Sequence, residues 1–151
     1  MTMSEIRIFW PLDTDIYRSD GIYDLIMQLE SDEREVALNQ LTTYRYADKE
    51  NEYTTKVICA EIDGIIVGYI LYRKTWIRPN TFETAQTLVH KDYRGQRIAT
   101  KLRDAVWKDI KQRGGDYCIS ATLDPTHMKT AKQIDHLEDG WIIVGRRLNS
   151  I

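Results

Sequence analysis

The sequence predicts an α/β fold of the α+β kind: one domain over residues 1–151, with a mixed, mostly antiparallel twisted sheet flanked by helices. Three observations predict it. Two β-branched apolar runs, Val57–Ile62 and Ile65–Tyr72, are separated only by Asp63-Gly64, a pair suited to the left-handed positions of a tight hairpin turn. A third run, Thr81–Val89, leads through a basic, Gly-containing turn into a segment where Ile98, Leu102, Ala105, Val106 and Ile110 recur at helical spacing. The full order then reads strand, two helices, three strands, helix, strand, helix, strand.

Glu5–Trp10 alternates enough for a first strand, closed by Pro11. Ile22, Leu25, Ile26 and Leu29 form the apolar stripe of a helix behind the capping residues Ser19 and Asp20. A second helix is expected from Asp32, where Glu35 completes a capping box and Ala37, Leu38, Leu41 and Tyr44 follow on one face. Residues 49–52 read as an exposed loop before the hairpin, and Arg78-Pro79-Asn80 as the turn before the third central strand. Gly114-Gly115 stops the amphipathic helix, and residues 117–123 form another buried strand. Asp124-Pro125 is then expected to open a helix with Met128, Ala131, Ile134 and Leu137 inward, ended by Gly140, with residues 141–148 as the last strand.

An apolar content of 42% with three prolines fits a packed core. The net charge of −2 hides an asymmetry: residues 1–54 carry twelve Asp/Glu against five Lys/Arg, whereas residues 91–151 carry twelve basic against eight acidic residues. No apolar run approaches the ~18 residues needed to cross a bilayer, and residues 1–5 lack a secretory pattern, so no membrane association and a cytosolic location are expected. Cys59 and Cys118 each sit in an apolar strand-like run and read as buried reduced thiols. His90, His127 and His136 show no zinc-binding spacing, so no metal is expected, and no Walker-type phosphate loop is present.

The chemistry is expected where the strand ending at Val89 turns into the helix starting near Ile98. Such a turn aims the unpaired N–H groups of the helix start, with the positive end of its dipole, back towards the strand end, a place suited to phosphate. Arg94, Arg97 and Lys101 add positive charge there.

The run Arg94-Gly95-Gln96-Arg97-Ile98-Ala99 resembles the Arg/Gln-x-x-Gly-x-Gly/Ala signature of the GNAT superfamily of acyl-CoA-dependent N-acetyltransferases, with Arg94 first and Ala99 last. Val89, five residues before Arg94, matches the family's apolar strand end, and the predicted element order is that of a GNAT domain. One position departs: Arg97 stands where the family has the central Gly that lets the backbone approach the pyrophosphate of coenzyme A. An Arg there either adds a charge contact or crowds the site.

The resemblance implies acetyl-CoA as co-substrate and transfer of its acetyl group to a primary amine by direct attack in a ternary complex. It implies a cofactor site of Leu88, Val89, Arg94, Gly95, Gln96, Arg97, Ile98, Ala99 and Thr100, with the strand at Val89 splaying from that at 117–123. Leu88 and Val89 would offer backbone N–H groups to the thioester and amide oxygens. His136, four residues before Gly140-Trp141, occupies the place of the family's Tyr general acid. Glu83, six residues before Val89, matches the base of histone-acetylating members. On a regular strand Glu83, Ala85, Thr87 and Val89 share one face and Glu83 lies about 20 Å from Val89, so a bulge or a water chain would be needed.

The acidic N-terminal region, which walls the acceptor side in this family, points to a cationic acceptor, whether a small amine or a lysine side chain. Its identity is not legible, and homodimerisation is left open. The rival readings are a regulatory domain that binds coenzyme A without catalysis, favoured by Arg97, and a nucleic-acid-binding module. The second is disfavoured because the basic residues of 91–113 are interleaved with Asp92, Asp104 and Asp109 and spread around the helix.

Overall fold

The computed structural model describes residues 5–13, 16, 20–48, 50–75, 79–115, 117–122, 133–138 and 141–147. Its elements are β1 (Arg7–Phe9), α1 (Asp20–Ile26), α2 (Ser31–Thr43), β2 (Lys56–Ile62), β3 (Ile65–Lys74), β4 (Thr81–Val89), α3 (Ile98–Gln112), β5 (Tyr117–Thr122), β6 (Gln133–Glu138) and β7 (Trp141–Arg147). The strands form one sheet in the order β1-β2-β3-β4-β5-β7-β6. Every pair is antiparallel except β4 with β5.

Asp63 and Gly64 take φ of 52° and 81° between β2 and β3, the two left-handed positions the hairpin required. Both faces of the sheet are covered, which is why β2 and β3 are buried along most of their length. On one face Ile98, Leu102, Val106 and Ile110 of α3 pack on Ile58, Ala60, Ile70, Tyr72 and Phe82. On the other, Ile22, Leu25 and Ile26 of α1 with Leu41 and Tyr44 cover Val57, Cys59, Tyr69, Leu71 and Leu88. Gly21 is what lets α1 lie so close, because a Cβ there would run into the Ile66 backbone. Cys59 and Cys118 are buried and outside any disulfide, and burial pushes the Cys118 thiol up to about 12.

Several expectations are corrected. The capping box at Asp32 does not form: α2 starts at Ser31 after Glu30, with no side-chain cap. Asp32 sits in the first turn, where its Oδ1 accepts the Glu33 N–H at 3.0 Å and its charge suits the helix dipole. Leu38 is 47% exposed, because the buried stripe runs through Ala37, Leu41 and Tyr44 instead. The largest correction concerns Ile134 and Leu137, expected on a helix, which lie on the strand β6 paired with β7. Ser19, Arg78, Leu123, Met128, Ala131, Gly140 and the Asp124-Pro125 start lie outside the described residues.

At the end of the sheet away from the β4–α3 turn, the Tyr72 hydroxyl donates to Asp109 Oδ2 at 2.7 Å and Arg113 Nε donates to the same oxygen at 2.8 Å. Lys56 is buried nearby, with Nζ donating to the Asn51 and Thr54 carbonyls. Desolvation first, and the Arg113 charge second, lower the Lys56 ammonium from 10.5 to about 8, against the pull of Asp109, Glu52 and Glu50. Between those two values the unfolded chain binds a proton that the folded chain does not, so this group adds stability as pH rises. The stability difference between wild type and Lys56→Met, from urea unfolding, should therefore shift in favour of wild type from pH 8 to 10.5. Parallel curves for the two proteins would show that Lys56 ionises normally in the fold.

Candidate functional site

The site is built around the unequal edges of β4. Its pairing with β5 covers only Thr81↔Tyr117, Phe82↔Cys118 and Glu83↔Ile119 among the described residues. Beyond Glu83, β4 continues with β3 alone, and beyond Ile119, β5 continues with β7 alone, so the sheet opens between them. At the end of β4 the His90 N–H donates to the Val67 carbonyl at 2.8 Å. By antiparallel alternation, Gly68↔Val89 is then a non-hydrogen-bonded pair and Tyr69↔Leu88 a hydrogen-bonded one. The Val89 N–H faces the opening, whereas the Leu88 N–H is directed at β3. Leu88 is thereby corrected from backbone donor to core residue, packed with Tyr69 under α1.

Register also corrects the position of Glu83. Leu71 pairs with Gln86 and Tyr72 with Thr84, which leaves Ala85 as a bulge. The extra residue turns Glu83 to the face that holds Gln86 and Leu88, opposite Val89 and Phe82, so the four residues expected on one face do not share it. Glu83 lies 27% exposed on the α1/α2 side, its Oε1 accepting from Arg73 Nε at 2.9 Å. On the same face the buried Tyr69 hydroxyl donates to Gln86 Oε1 at 2.7 Å. Burial raises the Tyr69 phenol well above its usual range, so it is a donor and not a base.

Between β4 and α3 the chain makes one 3₁₀ turn, Lys91–Tyr93, stabilised by His90 Nδ1, which accepts the Asp92 N–H at 3.1 Å. Gly95 (φ 84°) and Arg97 (φ 61°) then both take left-handed conformations, and Lys101 N–H donates to the Arg97 carbonyl at 3.0 Å as the first bond of α3. Among the described residues no side chain caps this start, and no acid lies in its first turn. The N–H groups of Ile98, Ala99 and Thr100 are thus left for an anion, with the helix dipole behind them. A Cβ at Gly95 would meet nothing within 4 Å, so the approach over it is open. Gln96 and Arg97 are exposed beside it, and exposed Arg94 folds back with Nε 3.4 Å from the Val89 carbonyl.

These features bring Val89, Arg94, Gly95, Gln96, Arg97 and the first turn of α3 together, and they fit a phosphate-bearing thioester with its arm between β4 and β5. A family model described as the acetyltransferase (GNAT) family matches residues 22–132. The chain belongs to the GNAT family. Solved GNAT-like structures agree in fold. A Desulfovibrio desulfuricans protein assigned to the family has a TM-score of 0.73 at 14% identity, over 95% of this chain and 99% of that one. The PaiA N-acetyltransferase of Thermoplasma acidophilum, solved with coenzyme A, has a TM-score of 0.68 at 14% identity over the same shares. An aminoglycoside 6′-acetyltransferase of type Ii has a TM-score of 0.69 at 17% identity, over 94% of this chain and 97% of that one. No curated protein matches the sequence. Among the described residues, no helix is long and apolar enough to cross a membrane.

Within the GNAT frame two sequence-derived positions stand differently. The helix expected to carry His136 is not formed there; the residue lies on the edge strand β6, opposite Ile143, with β7 between it and β5. At ~4.8 Å per strand it is two strands from β5 and is not brought to the β4 opening. Arg97 occupies a left-handed position, which gives the family's glycine there a conformational role as well as a steric one. Arg97→Gly should therefore raise stability by up to about 1 kcal/mol, or ~2–4 °C in melting temperature, the scale of a relieved left-handed residue. An unchanged or lower melting temperature would show the position to be unstrained. Coenzyme A affinity of the same variant separates the side-chain roles: weaker binding means a charge contact, tighter binding means crowding.

Sequence reasoning missed Gln28, whose side chain reaches the end of β4 from the turn after α1. Its partners are 61 and 63 residues away, a separation that leaves no local pattern to read.

Proposed function

We propose that the chain is an N-acetyltransferase that moves an acetyl group from acetyl-CoA to a primary amine, by direct attack while both are bound. The observation that carries this reading is the parting of β4 from β5 after Glu83↔Ile119, with the Val89 N–H facing the gap beside the uncapped start of α3. Acetyl-CoA supplies the activated acyl group. The chain's own part is to hold the phosphates at the N–H groups of residues 95–100 and Arg94, and to present the Val89 N–H where charge develops on a carbonyl oxygen.

An amine must be neutral to attack, so a proton has to leave it near the reacting carbon. Glu83 is the group assigned to take it, directly or through water. Its place on the α1/α2 face supports that role, since the acidic region 1–54 supplies the elements covering that face. The same charge favours a cationic acceptor. No role is kept for His136, given its distance from the opening.

Two measurements test this reading. Acetyl-CoA at about 100 times its dissociation constant should stabilise the fold by about 2.7 kcal/mol, and no thermal shift at millimolar acetyl-CoA would overturn the binding. Thiol release with spermidine should exceed that with a neutral amine and fall as ionic strength rises. Equal, salt-independent rates would remove the cationic acceptor.

A further inference from the structure

The turn after α1 is clamped in an unusual way. Arg34 of α2 donates from Nε to the Leu29 carbonyl at 2.7 Å and from Nη2 to the Met27 carbonyl at 3.2 Å. Those two carbonyls flank Gln28, so one guanidinium fixes the backbone on both sides of it. From this support the Gln28 side chain crosses to the end of β4. Its Oε1 accepts the Lys91 N–H at 2.7 Å, and its Nε2 lies 3.4 Å from the Val89 carbonyl. The amide orientation follows from chemistry: the Lys91 N–H can only donate and the Val89 carbonyl can only accept. Gln28 also lines an open hollow of about 460 Å³ with Asp24, Met27, His90, Lys91 and Arg94.

We infer that Gln28, held by Arg34, is a positioning residue that ties the acceptor-side helices to residues 89–91 and so sets the geometry of the coenzyme A site. This rests on the function proposed above. Val89 is the residue whose N–H faces the β4–β5 gap, and Lys91 opens the turn that leads to the anion-binding helix start. Gln28 grips the carbonyl of the first and the N–H of the second. A side chain able to make only one of these hydrogen bonds would hold only one of the two peptide groups that flank His90, leaving the other to its single backbone partner, the Val67 carbonyl for the first and the Tyr93 N–H for the second. The acceptor-side helices and the cofactor site are thus linked through one amide.

The test uses coenzyme A itself, titrated calorimetrically into the full chain. Gln28→Leu, which can form neither hydrogen bond, should bind about tenfold more weakly, the factor equivalent to one net hydrogen bond of about 1.4 kcal/mol. Gln28→Glu keeps an acceptor for Lys91 but sets a carboxylate against the Val89 carbonyl, and it should lie between. Its deficit should shrink as pH falls towards about 4.5, where a protonated Glu regains a donor; poorer packing alone would not follow pH in this way. If Gln28→Leu fails to fold, the pH profile of Gln28→Glu decides. Wild-type affinity in both variants would overturn the positioning role and leave the acetyltransferase reading intact. If wild type itself gives no heat with coenzyme A, the proposed function fails and the positioning role fails with it.

Discussion

Glu83→Gln is expected to lower turnover by about 10²–10⁴ at neutral pH, the range seen when a general base is removed, while acetyl-CoA binding stays as in wild type. The side chains have nearly the same shape, so packing on the α1/α2 face is kept. The substitution takes away the ion pair with Arg73, in which the side chains are 40% and 27% exposed. A pair that open to water contributes little to stability, and the melting temperature should barely move. A large drop in rate with an unchanged fold therefore separates chemistry from structure. The measurement belongs under conditions where acetyl transfer limits turnover; an unchanged rate there would assign the proton to another group, with no change in the fold.

The second large effect concerns stability. Asp109→Ala removes the carboxylate that receives both the Tyr72 hydroxyl and Arg113 Nε, with the Asp109 and Arg113 side chains only 17% and 12% exposed. It also removes a negative charge that acts on buried Lys56 against the charge of Arg113, so the two cations lose a shared counter-charge. Removing a part-buried acceptor on which two donors converge, one of them the hydroxyl of the fully buried Tyr72, costs about 1–3 kcal/mol. Urea unfolding should show that drop as a lower midpoint at unchanged slope. A destabilisation below about 1 kcal/mol would mean that water reaches Arg113 in the variant.

What the sequence made legible was local. Asp63-Gly64 announced its hairpin because the turn has a demanding backbone requirement that few residue pairs meet. The passage from Thr81–Val89 into the helix at Ile98 was readable because the hydrophobic period changes there from two to about 3.6. The bulge at Ala85 was not readable, since Thr84-Ala85-Gln86-Thr87 contains no glycine to mark it and the register is decided by β3. β6 was misread for a related reason. Ile134 pairs with Val144 and Leu137 with Ile142, and the register shifts between Ile134 and His136. The additional residue lets two positions three apart in sequence oppose positions two apart on β7, which mimics a helical spacing. The capping box at Asp32 failed more simply, as the helix began one residue earlier.

The candidate site was legible in the half suited to an anion, where motif and local geometry coincide in residues 94–100. Its other half depends on long-range register. Which N–H at the end of β4 is available, which face Glu83 occupies and that Gln28 reaches Val89 and Lys91 all follow from strand pairing and helix docking.

Among the described residues, three pairs join β4 to β5, and they form the only ladder connecting the four strands β1–β4 to the three strands β5, β7 and β6. The sheet thus carries a seam; α1 and α2 pack on the β1–β4 side of it, and α3, which also lies on β2–β4, reaches β5 at Cys118. In native-state amide exchange the two blocks should behave as separate cooperative units, with β5–β7 opening below the free energy of global unfolding and β2–β3 exchanging last. A ligand lying in the gap touches both blocks. It would act as a cross-brace that fuses them into one unit, so binding should slow exchange in β5 and β7 far more than in the already rigid β2–β3 hairpin.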